Sequence, residues 1–368
     1  MANPLNLAKK GFGLKIFDSS VKVFQFNKSG KKYSLHGYAS ASLDEGVVVG
    51  GDIIKADILS TAIKNALKNA KPKSIKTPYV SLMLPHEKTF YKTLKLPIMA
   101  DDEIEEAVRW KLSSLTPWDE EVVFDYQVIK KRKDSLTTFV SASPMTHVRS
   151  YYDLLADLKL IPTVIDLEEA ATTRAIVLKD SEEKLLIADI GKGRTLFTAV
   201  NAGNIVFTSA SKVSGVEFTK IIADGMGVSM NEAEELKMKA YSSSEDNKDK
   251  KLLSVLEPLF KTFSDEIHNI IEYLERERHI SGIKKVILCG GSSNLHGFAP
   301  YIALQIPFQV DVADPWQILG KASKKAAKKI KTVDVLSFIK VMGLALRALD
   351  PFDYENDKNK STSKKREK

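Results

Sequence analysis

The same pattern of three strands occurs twice in this chain of 368 residues, about half a chain apart. In residues 13–43, the turn sequences DSS and NKSGKK separate the β-rich segments GLKIF, VKVFQF and YSLHGYASASL. In residues 185–213, GKGR and NAGN separate LLIADI, TLFTAV and IVFTSASKV in the same way. Helical sequence follows each copy. The repeat therefore predicts two similar α/β lobes with a cleft between them, into which each lobe points its first turn.

A phosphate group held by these paired turns is the simplest use of the symmetry, because the N–H groups of a tight turn can converge on one oxyanion. The second turn suits this use. Asp189 ends its first strand, and Gly191 and Gly193 allow the backbone to approach an anion closely. Asp189 could also hold a hydrated Mg²⁺, which uses few carboxylates. The first turn is altered, because Lys15 and Phe17 stand where an acid and a glycine are expected.

Two later segments supply further candidates. VILCGGSSNLHGF (286–298) is typical of an apolar strand that runs into Gly290 and Gly291, where the backbone can again come close to a ligand. SMNEAEELKMKAY (229–241) predicts a capped helix that carries Glu234 and Lys237 on one face. An ordinary turn and a surface ion pair are the alternative interpretations of these two segments.

Composition limits the classes of function. One cysteine excludes an internal disulfide framework, and the six histidines show no metal-ligand spacing. The N-terminus lacks the apolar core of a signal peptide, and the most apolar late stretch is too short and too charged to span a bilayer, so we expect a cytoplasmic protein. Much of the net charge of +8 lies in 321–331 and 358–368. These segments predict solvated surfaces, with weak attraction to anionic lipid as the alternative, and no nucleic-acid motif accompanies them.

The order of these turns and helices resembles the actin-like ATPase superfamily. Within it, the chain is similar to the PilM family of type IV pilus assembly proteins, which are relatives of the cell-division protein FtsA. ADIGKGRT (188–195) resembles the second phosphate motif, AEELK (233–237) the helix near the ribose and base, and LCGGSSNLHGF (288–298) the adenosine motif. Residues 79–129 resemble the small subdomain inserted in PilM and FtsA, including an amphipathic helix with Ile104, Val108 and Leu112 on its apolar face.

The resemblance implies a fold class and a domain organisation. The fold is α/β, an actin-like ATPase fold with two duplicated lobes around a nucleotide cleft and an inserted small α/β subdomain in lobe one. The implied boundaries are 11–78 for the first part of lobe one, 79–149 for the inserted subdomain, 150–184 for the return of lobe one with its connecting helix, 185–332 for lobe two, 333–350 for a closing helix that returns to lobe one and 351–368 for a disordered basic tail.

The resemblance also implies a nucleotide site. The family's first phosphate motif, Asp-x-Gly-Ser-Ser-Ser-Val-Lys, aligns with residues 15–22, so Lys15 reverses the charge of an acid that helps to place Mg²⁺, and Phe17 replaces a glycine. Glu168, with Glu169 and Asp166 as alternatives, stands where the superfamily can position an attacking water, and a helix-terminal carboxylate is the other role open to Glu168. The predicted nucleotide-binding residues are Lys15, Asp18, Ser19, Ser20, Lys22, Asp189, Gly191, Lys192, Gly193, Arg194, Thr195, Gly215, Glu234, Lys237, Gly290, Gly291 and Ser292.

The implied function is that of a scaffold. PilM-like proteins bind ATP, and they bind the N-terminal cytoplasmic peptide of a PilN-like inner-membrane protein, which is expected near residues 79–150 and their junction with 150–170. We therefore expect a cytoplasmic scaffold of a type IV pilus or type II secretion-like machine, attached to the inner face of the membrane only through PilN and other platform components.

Because the first phosphate turn is altered, hydrolysis of ATP should be weak or absent, with Mg²⁺ as an optional ion. A homo-oligomer is compatible with this function, and binding to nucleic acid is not expected. The alternatives are an active ATPase or sugar kinase of the same fold, an FtsA-like cell-division protein, and a nucleotide-free adaptor in which Lys15 pairs with Asp189. The hydrophilic C-terminal tail lacks the amphipathic membrane helix of FtsA.

Overall fold

The computed structural model describes residues 11–30, 32–178, 181–240, 247–318 and 332–349. These residues form two compact units. The first unit takes the described residues up to Ala171 and those from Lys340 onward, and the second takes Thr172–Ile339. The predicted basic tail and the basic segment 321–331 lie outside the described residues.

The described strands and helices are as follows. The strands are β1 (Phe12–Phe17), β2 (Ser20–Ser29), β3 (Lys32–Ser42), β4 (Val48–Val49), β5 (Asp52–Ile53), β6 (Lys71–Pro72), β7 (Tyr79–Met83), β8 (Phe90–Pro97), β9 (Val122–Lys131), β10 (Ser135–Pro144), β11 (Ile161–Asp166), β12 (Lys184–Ile190), β13 (Thr195–Asn201), β14 (Asn204–Ser211), β15 (Lys285–Cys289) and β16 (Gln309–Val312). The helices are α1 (Ala56–Asn69), α2 (Glu103–Leu115), α3 (Met145–Asp157), α4 (Glu168–Ile176), α5 (Gly215–Met226), α6 (Met230–Ala240), α7 (Asn247–Arg276), α8 (Phe298–Gln305), α9 (Thr332–Ser337) and α10 (Ile339–Leu349). Short 3₁₀ turns cover His86–Lys88, Gly291–Asn294 and Pro315–Ile318.

A six-stranded sheet with the order β11–β7–β1–β2–β3–β6 forms the centre of the first unit. β1 pairs antiparallel with β2 and parallel with β7, and β2 pairs antiparallel with β3. The apolar side chains of β1 and β2 pack with buried residues of α1 and α3, such as Leu59, Ile63 and Tyr151. The first strand therefore lies inside the sheet, and the hairpin turn that follows it is held by a buried core.

The C-terminal helix α10 packs against β1 through glycine. A Cβ atom on Gly13 would lie 2.4 Å from the carbonyl oxygen of Val341, and one on Gly343 would overlap the backbone of Ala171. Because no side chain fits between these backbones, glycine is required at both positions. α10 from Lys340 onward thus lies in the first unit, against the strand that precedes the predicted first phosphate turn, whereas α9 belongs to the second unit.

The inserted part of the first unit has a sheet and a core of its own. Its three strands have the order β8–β10–β9, and α2 covers them with Ile104, Val108 and Leu112, all of which are buried. The predicted apolar face of α2 is therefore confirmed. The three-stranded sheet begins at Phe90, because β7 belongs to the six-stranded sheet through its pairing with β1. The separate sheet thus starts later in the chain than residue 79.

The second unit repeats the arrangement of the first. Its five-stranded sheet has the order β14–β13–β12–β15–β16, in which β12 pairs antiparallel with β13 and parallel with β15. β1 and β12 thus hold equivalent places, which confirms the predicted duplication. The unit begins at Thr172 instead of residue 185, because Thr172 donates a hydrogen bond to Asp189, and the carbonyl group of Ile176 accepts one from Gln317.

None of the helices in the described part of the chain combines the length and the apolar character that a membrane span requires.

Replacing Gly13 by alanine should destabilise the first unit, because the new Cβ atom forces β1 away from α10. We expect Gly13→Ala to lower the free energy of unfolding by roughly 1–3 kcal/mol, the usual cost of overpacking a core. Urea denaturation followed by circular dichroism measures this change. Gly193→Ala is the matched control, because a Cβ atom there meets no atom within 4 Å. Equal stability of the two variants would contradict the close packing.

Candidate functional site

The predicted second phosphate turn lies at the carboxyl ends of two parallel strands in the second unit. β12 ends at Ile190 and β15 at Cys289, so the turns that begin at Gly191 and Gly290 are neighbours. Ligands of open α/β sheets bind at this end of the strands. Gly290 has a φ of +83°, and a Cβ atom on it would lie 2.7 Å from Asp189 Oδ1. The structure therefore brings the predicted carboxylate and the predicted glycine turn into contact.

The carboxylate of Asp189 is buried and accepts a hydrogen bond from Thr172 Oγ1 at 3.1 Å. No group of three or more metal-binding side chains occurs in the described part of the chain. A single carboxylate fits a hydrated Mg²⁺ that keeps most of its water ligands, and does not fit a cation held mainly by protein oxygens. Thr172 is a site residue that the sequence did not reveal, because it has no motif of its own.

Three segments that are far apart in the sequence meet beside this turn. The N–H group of Gly215 donates to the carbonyl oxygen of Gly191, and that of Val216 donates to the carbonyl oxygen of Lys192, both at 2.9 Å. A Cβ atom on Gly215 would lie 2.8 Å from Ser292 Oγ. The start of α5 is thus fixed directly to the predicted phosphate turn, and only glycine allows this close approach.

The predicted pair Glu234 and Lys237 belongs to the same cluster. Lys237 Nζ is buried and donates to Gly215 O at 2.9 Å, to Thr219 Oγ1 at 2.7 Å and to Glu234 Oε2 at 2.6 Å. Burial lowers the pKa of Lys237, although Glu234 acts in the opposite direction. Burial alone would raise the pKa of Glu234, but its hydrogen bonds with Lys237 and Thr219 outweigh that effect and lower it. Lys237 is therefore buried where α6 packs against α5, whereas the side chain of its partner Glu234 is 51% exposed.

The other predicted residues of the second unit lie on the same turns. Thr195 is buried and donates through Oγ1 to the carbonyl oxygen of Val213, and the carbonyl oxygen of Arg194 accepts from Gly191. A Cβ atom on Gly193 or Gly291 would meet no other atom within 4 Å. These two glycines therefore border open space at the end of the sheet.

The predicted first phosphate turn is a two-residue hairpin in the first unit. Phe17 pairs with Ser20, which leaves Asp18 and Ser19 as the exposed turn between β1 and β2. The carboxylate of Asp18 accepts hydrogen bonds from the N–H groups of Gly50 and Gly51, at 2.9 and 3.3 Å. The carboxylate of Asp18 therefore fixes the neighbouring turn at Gly50 and Gly51.

Lys15 lies at the centre of a buried ionic cluster. Its Nζ atom is 3.3 Å from Glu168 Oε1, and Nζ of Lys340 is 2.8 Å from Glu168 Oε2. Phe17 places its ring centroid 4.0 Å from Lys15 Nζ and 5.7 Å from Lys22 Nζ, which is a favourable geometry for cation–π interaction. The two residues that depart from the expected motif, Lys15 and Phe17, thus contact each other.

Glu168 differs in its surroundings from its two neighbouring acids. Two ammonium groups contact its carboxylate, one at each oxygen. Glu169 pairs instead with His86 Nδ1 at 3.2 Å, and Asp166 accepts from the N–H group of Leu167.

Burial, together with the charges of Glu169 and Glu168, raises the pKa of Tyr91 well above its usual value. Lys340 was missed in the sequence, where it appears only as a charge within an apolar helix.

Removing the ammonium group of Lys237 should destabilise the second unit, because Gly215, Thr219 and Glu234 lose their common donor. We expect Lys237→Met to lower the free energy of unfolding by about 1–3 kcal/mol, which is the cost of leaving buried acceptors unsatisfied. Lys220→Met is the matched control, because Lys220 is an exposed lysine of α5. Urea denaturation of both variants gives the measurement. If both variants have the stability of the wild type, the buried cluster does not hold α6.

The sequence matches the family model of the type IV pilus assembly protein PilM over residues 13–349. Among solved structures, the PilM-PilN type IV pilus biogenesis complex is 22% identical and has a TM-score of 0.78, over 93% of this chain and 99% of that chain.

Two further solved structures are more distant. The ethanolamine utilization protein EutJ from Carboxydothermus hydrogenoformans is 12% identical, with a TM-score of 0.55 over 91% of this chain and 88% of that one. MreB 5 of Spiroplasma citri bound to AMPPNP is 12% identical, with a TM-score of 0.52 over 96% of this chain and 98% of that one. These structural likenesses confirm the predicted actin-like ATPase fold.

Proposed function

The chain belongs to the PilM family of type IV pilus assembly proteins, and we propose that it is a cytoplasmic scaffold of a type IV pilus or type II secretion-like machine. It binds ATP and the N-terminal tail of a PilN-like inner-membrane protein. The observation that carries this proposal is the match to the family over residues 13–349, together with the likeness to the PilM-PilN complex over almost the whole chain.

The geometry of the second unit supports the binding of ATP. The turn at Gly191, the glycine pair at Gly290 and the Glu234–Lys237 pair lie in one cluster at the carboxyl ends of parallel strands. This cluster combines the predicted phosphate turn with the half-exposed carboxylate of Glu234, which can accept hydrogen bonds from a ribose. MreB 5, which shares the fold, was solved with the ATP analogue AMPPNP. We propose that the same turns hold the nucleotide in this chain.

The ionic cluster of the first unit supports weak hydrolysis. Lys15 and Lys340 bring two ammonium groups to one buried carboxylate. We propose that these ammonium groups favour a phosphate over Mg²⁺ at this place. Glu168, the predicted catalytic residue, would have to leave two ammonium groups before it could orient a water molecule. Because phosphoryl transfer depends on positioning and on neutralised charge, we propose that nucleotide binding persists while hydrolysis is slow or absent.

Titration of the protein with ATP, with and without Mg²⁺, tests the nucleotide proposal. We expect binding by the wild type in both conditions, with affinities that differ by less than about tenfold, or 1.4 kcal/mol. Lys15→Asp should make binding depend on Mg²⁺, since it restores the acid of the family's motif. Lys15→Met removes the charge without adding an acid, and should weaken binding in both conditions.

Lys64→Asp is the matched control for these variants, because Lys64 is an exposed residue of α1. It should bind ATP as the wild type does, and a thermal melt of each variant establishes that it is folded. Wild-type turnover at the rate of an active kinase would support the working ATPase instead. Absence of ATP binding in every condition would support the nucleotide-free adaptor.

The inserted sheet supports the binding of an extended peptide. β8 and β9 are its outer strands, and each pairs only with β10 among the described strands. Extended peptides commonly add to such edges, where main-chain hydrogen bonds supply much of the affinity. We propose that the PilN-like peptide docks on this sheet or on its junction with residues 150–170.

Hydrogen exchange with a synthetic N-terminal peptide of the PilN-like protein from the same organism tests this docking. The peptide should slow amide exchange within residues 79–170 by at least about tenfold at saturation, because new main-chain hydrogen bonds protect the edge. β14 is the internal control, since it is an outer strand of the other sheet and should not respond. A scrambled peptide is the second control. Protection confined to β14, or equal protection by the scrambled peptide, would contradict the proposed surface.

A further inference from the structure

The turn Gly50–Asp52, between β4 and β5, holds the predicted first phosphate turn. The N–H groups of Gly50 and Gly51 both donate to the carboxylate of Asp18, at 2.9 and 3.3 Å. Gly50 has a φ of +54° and Gly51 a φ of +85°, which other residues rarely adopt. The two N–H groups therefore converge on Asp18 in a geometry that only this glycine pair permits at low cost.

The same turn holds both chain connections of the inserted three-stranded sheet. Asp52 Oδ2 lies 2.7 Å from Nζ of Lys88, in the connection that leads into β8, and Asp52 Oδ1 lies 3.3 Å from Nδ1 of His147, in the helix that follows β10. A Cβ atom on Gly51 would lie 2.4 Å from Cγ of Pro85, which also precedes β8. One carboxylate thus ties together the places where the chain leaves and rejoins the main sheet.

The contacts on the side of α3 are buried. The hydroxyl group of Tyr151 donates to the carbonyl oxygen of Gly51 at 2.9 Å, and the ring of Tyr151 lies 5.0 Å from that of His147. Partial burial opposes ionisation of Asp52, but Lys88 and His147 outweigh it and lower its pKa, so the anchor stays charged near neutral pH. The turn is therefore held by Asp18, by Lys88 and by the α3 residues His147 and Tyr151. A displacement of Asp18 reaches the other contacts through the adjacent residues Gly51 and Asp52.

We propose that the Gly50–Asp52 turn couples the first phosphate turn to the orientation of the inserted sheet. This inference rests on the proposed function, since the effector is the nucleotide and the responding element is the sheet that receives the peptide. A phosphate at Ser19 and Ser20 repels the carboxylate of Asp18 and weakens its hydrogen bonds with Gly50 and Gly51. The released turn then loosens the hold of Asp52 on Lys88 and His147. Because coupling is reciprocal, a peptide bound to the inserted sheet changes the affinity for ATP by the same factor.

Hydrogen exchange of the full chain, with and without ATP, tests the coupling. The reporters are the amides of Lys88 and Thr89, which form the 3₁₀ turn in the connection to β8. We expect ATP to raise their exchange rates at least about fivefold in the wild type, which corresponds to the loss of one ordinary hydrogen bond. Asp18→Asn without ATP should produce a similar rise, and ATP should then add little.

Asp52→Asn separates the two halves of the coupling. In this variant ATP should still change the exchange of Gly50 and Gly51, but should no longer change that of Lys88 and Thr89. Asp44→Asn is the matched control, because Asp44 is an exposed carboxylate in the loop before β4, and it should respond to ATP as the wild type does. Lys88→Gln is a second variant that removes the anchor from the opposite side and should abolish the response in the same way.

The affinity for ATP, measured on the same samples, distinguishes the two possible failures. If the wild type binds ATP and the reporter amides do not respond, or if they respond equally in Asp52→Asn, the coupling is wrong and the proposed function stands. If the wild type does not bind ATP at all, the proposed nucleotide binding fails, and the coupling fails with it.

Discussion

The first unit depends on one buried carboxylate. Glu168 joins β1 through Lys15, α4 through its own backbone and α10 through Lys340. Taking these charges out of water is costly, and breaking a buried ion pair by removal of one partner commonly costs about 3–5 kcal/mol. Moving β1, α4 or α10 away from the other two would leave a buried charge without its partner. The glycine contacts of α10 with β1 become tolerable because this ionic anchor and the surrounding apolar core hold the backbones together.

The two predicted phosphate turns differ in charge although they occupy equivalent places in the duplicated structure. β1 and β12 occupy equivalent places in their sheets, and their turns follow at equivalent points. The second turn keeps an acid and a glycine, Asp189 and Gly191. The first turn has Lys15 and Phe17, whose side chains contact each other. The ring of Phe17 lies against the ammonium group of Lys15. Replacing Lys15 alone by aspartate therefore leaves an aromatic ring beside the new carboxylate.

Much of the fold could be predicted from the sequence, because local sequence patterns determine many of its strands, turns and helices. Alternating apolar residues and turn sequences predicted both three-stranded repeats. The spacing of Ile104, Val108 and Leu112 predicted the buried face of α2. The candidate site was harder. Lys340 contacts a carboxylate 172 residues away, and no local pattern marks it. Thr172 also lacks a motif, and its hydrogen bond to Asp189 is one reason why the second unit begins before the predicted boundary. Contacts of this kind depend on tertiary packing, which a single sequence does not display.

The glycine turn at residues 50–52 illustrates the same limit and links it to function. In the sequence, VVVGGDII is an apolar stretch with a glycine pair, which indicates a turn and nothing more. In the structure, the N–H groups of Gly50 and Gly51 donate to Asp18. The carboxylate of Asp52 contacts Lys88 and His147. The proposed function, a scaffold that binds nucleotide without hydrolysing it, has a use for such a connection. If hydrolysis does not drive the protein, then binding energy alone must change its state, and it can do so only through contacts that differ between the free and the bound forms. Asp18 meets this condition under the proposal, because a phosphate at the hairpin would repel the carboxylate that accepts from the two glycine N–H groups.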